Sequence, residues 1–148
     1  MIFTFRFKPA KNTNGSGNGA RYIYLLLSLA VTALCLSPML QNTFTNWDDN
    51  IYSTQNNLIT SLSAENVKQI FNTNNPVALN YHPLTILSYA LEYLFVEFDP
   101  WLYHFDNLLL HIGVVILCYF FILKLFKNNI VAITASMLFA IHPLHVES

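Results

Sequence analysis

Two adjacent carboxylates, Asp48 and Asp49, are the first candidates for chemistry in this chain. They lie about eight residues beyond a long apolar run and directly behind Trp47, a residue typical of membrane interfaces. A carboxylate placed there can act as a general base toward a hydroxyl, or organise a divalent cation beside a phosphate. The same pair can instead form a turn, because Asp readily caps helices and makes tight bends. Spacing alone leaves both interpretations open.

Histidines form the second group of candidates. His82 and His142 each precede Pro-Leu, and His145 follows three residues after His142. Histidine at an outer membrane face can donate to phosphate oxygens or bind a metal. These three have no Cys or carboxylate at ligand spacing, so the pattern does not predict a metal site, and a cap or interfacial role is the alternative.

A further polar group, His104, Asn107 and His111, has the i, i+3, i+7 spacing of one helix face. Polar side chains at membrane depth normally face the interior of a helix bundle. We therefore expect this face to pack against other helices.

The composition sets the class of protein that must position these residues. Of the 148 residues, 54% are hydrophobic and only 10% are charged, whereas soluble domains carry about 25% charged residues. This excludes a water-soluble enzyme domain and a disordered tail. The formal net charge of −1 excludes a nucleic-acid binder that relies on bulk positive charge. The sequence thus predicts an integral membrane protein.

Three apolar runs predict an all-α membrane fold with three transmembrane helices, at about 22–40, 107–123 and 129–141. A signal peptide is the competing interpretation of the first run, but the run is longer than a typical signal core and no small-x-small cleavage motif follows it. The long connection 41–106 is expected to be an external loop that bears juxtamembrane amphipathic helices.

Two short helices are predicted within this loop. Ser63 can N-cap a helix from 64 to about 71, and Pro83 stands at the first-turn position that proline favours in a helix running to about 98. Glu92 and Glu97 make it costly for the second helix to span the membrane, so it is expected to lie along the surface. Its polar stripe is expected to face water and consists of Thr85, Ser88 and Glu92.

The distribution of Lys and Arg predicts the topology. Residues 1–21 contain four, the 41–106 loop contains one against seven acids, and the 124–128 turn contains two. The positive-inside rule places the first and last of these segments in the cytoplasm. The loop and residues 142–148 are then external, in the periplasm of a bacterial inner membrane or the lumen of an ER-type membrane.

Four motifs in order resemble one family. The segment Thr45–Tyr52 is similar to its "WDD-x-x-Y" opening of the first outer loop, and the other three are Asn80–Ser88, Tyr103–His111 and Phe139–Ser148. Together they resemble the transmembrane and tetratricopeptide-repeat O-mannosyltransferase-like family, which has the GT-C fold. The resemblance covers about residues 40–148, which would make residues 22–148 a partial GT-C membrane domain behind a basic lead, 1–21.

The resemblance implies transfer of a sugar from a polyprenyl- or dolichyl-phosphate donor to a protein hydroxyl. An acidic residue of the first outer loop is catalytic in that class, which maps onto Asp48 first, as the catalytic carboxylate or its immediate partner, and onto Asp49 second. His82, His142 and His145 are weaker candidates for contact with the donor phosphate. The expected partners are membrane lipid, the lipid-linked sugar and a protein acceptor, with no nucleic acid. The sequence leaves open whether a divalent cation serves as a cofactor.

The resemblance also implies a longer protein. Members of the family have many more membrane helices and a C-terminal tetratricopeptide array, which these 148 residues do not include. The chain is therefore expected to be an N-terminal part that is inactive alone. The alternative is a small non-enzymatic membrane protein that packs against a larger partner.

Overall fold

The computed structural model describes residues 18–45 and 47–142, and the regular structure in these residues is helical, with no strand. The helices are α1 (Asn18–Leu36), α2 (Ala64–Ile70), α3 (Pro83–Val96), α4 (Pro100–Phe126) and α5 (Asn129–Ala140). A 3₁₀ turn, Ser37–Gln41, extends α1, and a π-helical turn, Asn50–Thr54, follows the two aspartates.

Two helices are long and apolar enough to cross a membrane. They are α1 with its 3₁₀ extension, Arg21–Gln41, and α4. Only 17% of the apolar window of each is buried within the described structure, as expected of surfaces that face lipid rather than a soluble core. The 12 residues of α5 would rise about 18 Å at 1.5 Å per residue, short of the roughly 30 Å hydrocarbon core. The third predicted span is therefore not confirmed.

The start of α4 differs from the expected one. The helix begins at Pro100, seven residues before the predicted start, so Trp101 and Tyr103 lie within its first turns and not before them. The cause is local: the Asp99 carboxylate accepts a hydrogen bond from the Trp101 N–H at 3.0 Å, and Pro100 occupies the first turn.

The helices α1, α4 and α5 pack together around Leu25, Tyr119 and Ala132. The Tyr119 hydroxyl donates to the Arg21 carbonyl oxygen at 3.0 Å and thereby ties α4 to α1. His111 lies 2.9 Å from the Ala140 carbonyl oxygen through its Nε2 atom. The predicted polar face of α4 thus packs on α5 at this level.

The loop has its own small core of Ile59, Ile70, Ile86 and Ala90. The predicted cap of α2 is confirmed, because the Ser63 hydroxyl accepts a hydrogen bond from the Asn66 N–H at 3.1 Å. Packing of Ile70 on Ile86 and Ala90 holds α2 against α3, which in turn contacts α4.

The orientation of α3 departs from the expectation of a wet polar stripe. Glu92 is buried, on a different side of the helix from the buried residues Ile86 and Ala90. The exposed side carries Leu84, Leu94 and Phe95. The polar stripe therefore does not simply face water: its Glu92 turns inward, and the outer surface of α3 is apolar.

Candidate functional site

The two aspartates build a turn, and the turn gives them different surroundings. The Asp48 carbonyl oxygen accepts the N–H groups of Ile51 and Tyr52, each at 3.0 Å. The Asp49 Oδ2 atom accepts the Thr45 N–H at 2.7 Å and the Thr45 hydroxyl at 3.2 Å. Asp48 remains exposed, whereas Asp49 is half-buried. The backbone of the two aspartates thus forms a turn, as one of the two interpretations predicts. This turn gives the two carboxylates different environments.

A small cavity of about 30 Å³ lies beside Asp49. Its walls come from the loop, α3 and α4, and its lining residues are Phe44, Asp49, Ser53, Tyr89, Tyr103, His104 and Asn107. A volume of roughly 10–15 Å³ is the minimum that holds a water molecule, so this cavity can take one water or hydroxyl group.

Aromatic packing fixes the shape of this cavity. The Phe44 and Tyr103 rings meet edge to face with centroids 5.3 Å apart, and the Tyr89 and Tyr103 centroids are 5.6 Å apart. The Tyr103 hydroxyl donates to the Glu97 carbonyl oxygen at 2.9 Å. Because that bond fixes Tyr103 at the α3–α4 junction, its ring serves as a wall of the cavity.

His104 is a site residue that the sequence interpretation placed on a helix face but not beside Asp49. Its ring is 8% exposed, and its Nε2 atom has no hydrogen-bond partner among the described residues. The Phe44 ring lies at a centroid distance of 6.5 Å from the His104 ring. The i, i+3 spacing of His104 and Asn107 was the available signal, since both line the cavity.

The carboxyl groups of Glu92 on α3 and Asp106 on α4 lie close enough to interact. Burial, and to a lesser extent the nearby Asp106 carboxyl, raise the pKa of Glu92 from its ordinary value of 4.5 to about 8. Burial also raises the pKa of Tyr89, with contributions from the negative charges of Glu92 and Asp49. Glu92 therefore holds a proton near neutral pH and can donate it to Asp106.

Of the three histidines expected at the donor phosphate, the two that lie within the described residues, His82 and His142, do not line this cavity. His82 is exposed at the start of α3, with its ring 6.4 Å from that of Tyr52. His142 follows α5 and is exposed, and its N–H donates to the Phe139 carbonyl oxygen at 3.4 Å. His145 lies outside the described residues.

The position of His142 relative to the cavity follows from helix geometry. His111 contacts Ala140, close to the end of α5. It stands seven residues beyond His104 on α4, which is about 10 Å along the helix axis. The end of α5 therefore meets α4 about two turns below the cavity.

The part of the chain that the structure describes contains no preformed metal-binding site. In residues 18–45 and 47–142, no group of three or more His, Cys, Asp or Glu side chains is arranged to hold a metal ion. The Asp49 carboxylate is engaged by Thr45 instead.

Helices of this length and polarity, with a carboxylate-bearing loop beside them, define a helical membrane protein. Comparison with known proteins is consistent with that class. Human protein O-mannosyl-transferase TMTC3 is 42% identical over 69 residues, and Xenopus laevis protein O-mannosyl-transferase tmtc2 is 44% identical over 69 residues. Mouse protein O-mannosyl-transferase TMTC1 is 36% identical over 70 residues.

These comparisons confirm the resemblance to the TMTC O-mannosyltransferase-like family. Each match covers 47% of this chain and 7–8% of the length of the relative. The chain therefore corresponds to a small part of those proteins. No family model matches the sequence, and no solved structure matches it.

Proposed function

We propose that this chain contributes the first outer loop of a membrane glycosyltransferase, which moves a sugar from a polyprenyl- or dolichyl-phosphate donor to a protein hydroxyl. Asp49 acts as the general base and Asp48 as its immediate partner. The observation that carries the proposal is the cavity of about 30 Å³, which sets the Asp49 carboxylate beside polar groups of α3 and α4. The relatives are named protein O-mannosyl-transferases, which supports the reaction class.

The chemistry requires a base where a hydroxyl becomes a nucleophile. A carboxylate that accepts the hydroxyl proton raises the nucleophilicity of the oxygen as it attacks the anomeric carbon. Asp49 is half-buried and held by Thr45, so its position is fixed before the acceptor arrives. Asp48 is exposed and would therefore be accessible to the donor.

The remaining assignments belong to the same proposal. His82, exposed at the start of α3, and with it His142 and His145, would contact the donor phosphate. The segment that includes α5 would complete a third membrane crossing of a partial GT-C fold. The 148 residues alone would be inactive, because the donor groove requires further membrane helices.

A transfer assay tests the reaction class. The longest reading frame that contains these residues is purified in lipid and given dolichyl-phosphate mannose with a threonine peptide. We expect mannosylated threonine peptide and no product from a matched valine peptide. Product from neither peptide, with the protein correctly inserted, would contradict the proposed function.

The orientation of the loop is a separate prediction. In a chain whose two native cysteines are replaced by serine, a cysteine at the exposed position Thr73 is expected to react with an impermeant thiol reagent in intact cells or sealed vesicles. A cysteine at Lys127, at the end of α4, serves as the opposite-side control and should react only after permeabilisation. The reverse labelling pattern would mean that the loop is cytoplasmic.

A further inference from the structure

Two histidines of α4, one beside the Asp49 cavity and one away from it, differ in their hydrogen bonding. His104 and His111 lie on one face of α4, yet the Nε2 atom of His111 reaches the Ala140 carbonyl oxygen. His104 is more than nine-tenths buried, lines the cavity, and leaves its Nε2 atom without a partner among the described residues. A buried polar atom left unsatisfied destabilises the fold, so a ligand that satisfies it is favoured.

The groups around the cavity select the chemistry of that ligand. An ionised carboxylate only accepts hydrogen bonds, whereas an imidazole nitrogen donates or accepts according to its tautomer. A hydroxyl has one proton to donate and lone pairs that accept, so it can donate to Asp49 and at the same time accept from His104 in the tautomer whose Nε2 atom carries the proton. An anion would be repelled by Asp49, and the volume of about 30 Å³ limits the occupant to one small group.

We propose that this cavity is a hydroxyl-binding subsite in which the His104 Nε2 atom and the Asp49 carboxylate bind the same substrate hydroxyl. The inference rests on the proposed function for the identity of the substrates, which are a protein hydroxyl and a hexose. His104 is then a binding residue supplied by α4, and the Phe44 ring lies beside it. The subsite couples the first outer loop to the membrane helix that follows it.

The test measures binding rather than transfer. The 148-residue chain is placed in phosphatidylcholine nanodiscs, and the side-chain amide signal of Asn107, which lines the cavity, is followed by NMR. The probes are acetyl-threonine amide, its isostere acetyl-valine amide, and methyl α-mannoside. We expect a saturable shift with the threonine probe or the mannoside, which identifies whether the acceptor or the sugar supplies the hydroxyl, and none with the valine probe.

Substitutions assign the effect to His104. His104→Leu is expected to weaken binding of the active probe about 10-fold, the size of one hydrogen bond, and His104→Gln to retain most of it. His111→Gln is the matched control on the same helix face and should leave the affinity unchanged. Because His104→Gln keeps a polar side chain of similar reach, the inference stays testable even if the leucine variant misfolds.

Two results would overturn the inference. Equal shifts with threonine and valine probes, or no shift with any probe, would show that the cavity does not recognise a hydroxyl. Unchanged affinity in a folded His104→Leu variant would remove His104 from the subsite. Neither result depends on catalysis, so the proposed role of Asp49 in sugar transfer would still stand. Conversely, an enzyme that is inactive but whose cavity binds hydroxyls selectively would contradict the proposed function and leave this inference in place.

Discussion

Asp49→Asn is expected to lower sugar transfer about 10²–10⁴-fold, the usual contribution of general base catalysis. The asparagine side chain retains an oxygen that can accept the hydrogen bond from the Thr45 N–H. In the parent protein this N–H donates to Asp49 Oδ2 at 2.7 Å. The turn should therefore persist while the base is lost. Turnover of dolichyl-phosphate mannose by the longest reading frame measures the first effect, and membrane insertion with circular dichroism checks the second.

Asp48→Asn is the matched comparison, because the two aspartates are adjacent but differ in surroundings. Asp48 is exposed and contributes only its carbonyl oxygen to the bonds that form the turn. We expect a smaller loss of transfer than in Asp49→Asn, expressed mainly in KM for the donor. A larger loss in Asp48→Asn would make Asp48 the base, and near-normal turnover in both variants would exclude a catalytic role for the pair.

Features set by neighbouring residues were predictable from the sequence. Ser63 caps α2 and Pro83 begins α3, as expected, because a cap needs only a side chain and N–H groups two or three residues away. The apolar runs that form α1 and α4 were equally clear. The start of α4 was missed because Asp99-Pro100 has two roles: it follows the end of α3, and it caps the start of α4. The sequence interpretation assigned only the first of these roles.

Features set by packing between distant segments were not predictable. Glu92 was expected in water because glutamate is usually exposed, but in the fold it is buried beside the half-buried Asp106, 14 residues later. The meeting of Asp49 with His104 depends on how the loop folds over the start of α4, for which periodicity carries no information. Sequence thus located the carboxylates and the helix face, and the fold brought Asp49, His104 and Asn107 to one cavity.

Ionisation of Glu92 is expected to loosen the packing of α3 on α4. The pKa of Glu92 in the folded protein is about 8, against 4.5 for the ordinary side chain. Its contribution to stability is therefore fully present below pH 4.5 and is lost as the pH rises through 8. Each pKa unit corresponds to about 1.4 kcal/mol, so the loss over this window should be easily measured.

Glu92→Gln separates this effect from other titrations. Glutamine can still donate a hydrogen bond to Asp106 but cannot ionise. We therefore expect its thermal unfolding temperature in detergent to change less between pH 5 and pH 8.5 than that of the parent. This pH range is chosen because it includes the Glu92 pKa of about 8. The comparison with the parent removes the contribution of every other group that titrates in this window.

A second carboxyl on the same segment provides the control. Glu97 is exposed at the end of α3, and Glu97→Gln should leave the pH dependence of the parent in place. Asp106→Asn should weaken it only in part, because the neutral amide removes the charge that opposes ionisation of Glu92, whereas the burial that raises its pKa most remains. If Glu92→Gln retained the full pH dependence while remaining folded, the carboxyl pair would not be the group that couples α3 to α4. If the dependence is lost in Glu92→Gln, weakened in Asp106→Asn and kept in Glu97→Gln, the buried proton holds the first outer loop against the membrane helix that carries His104.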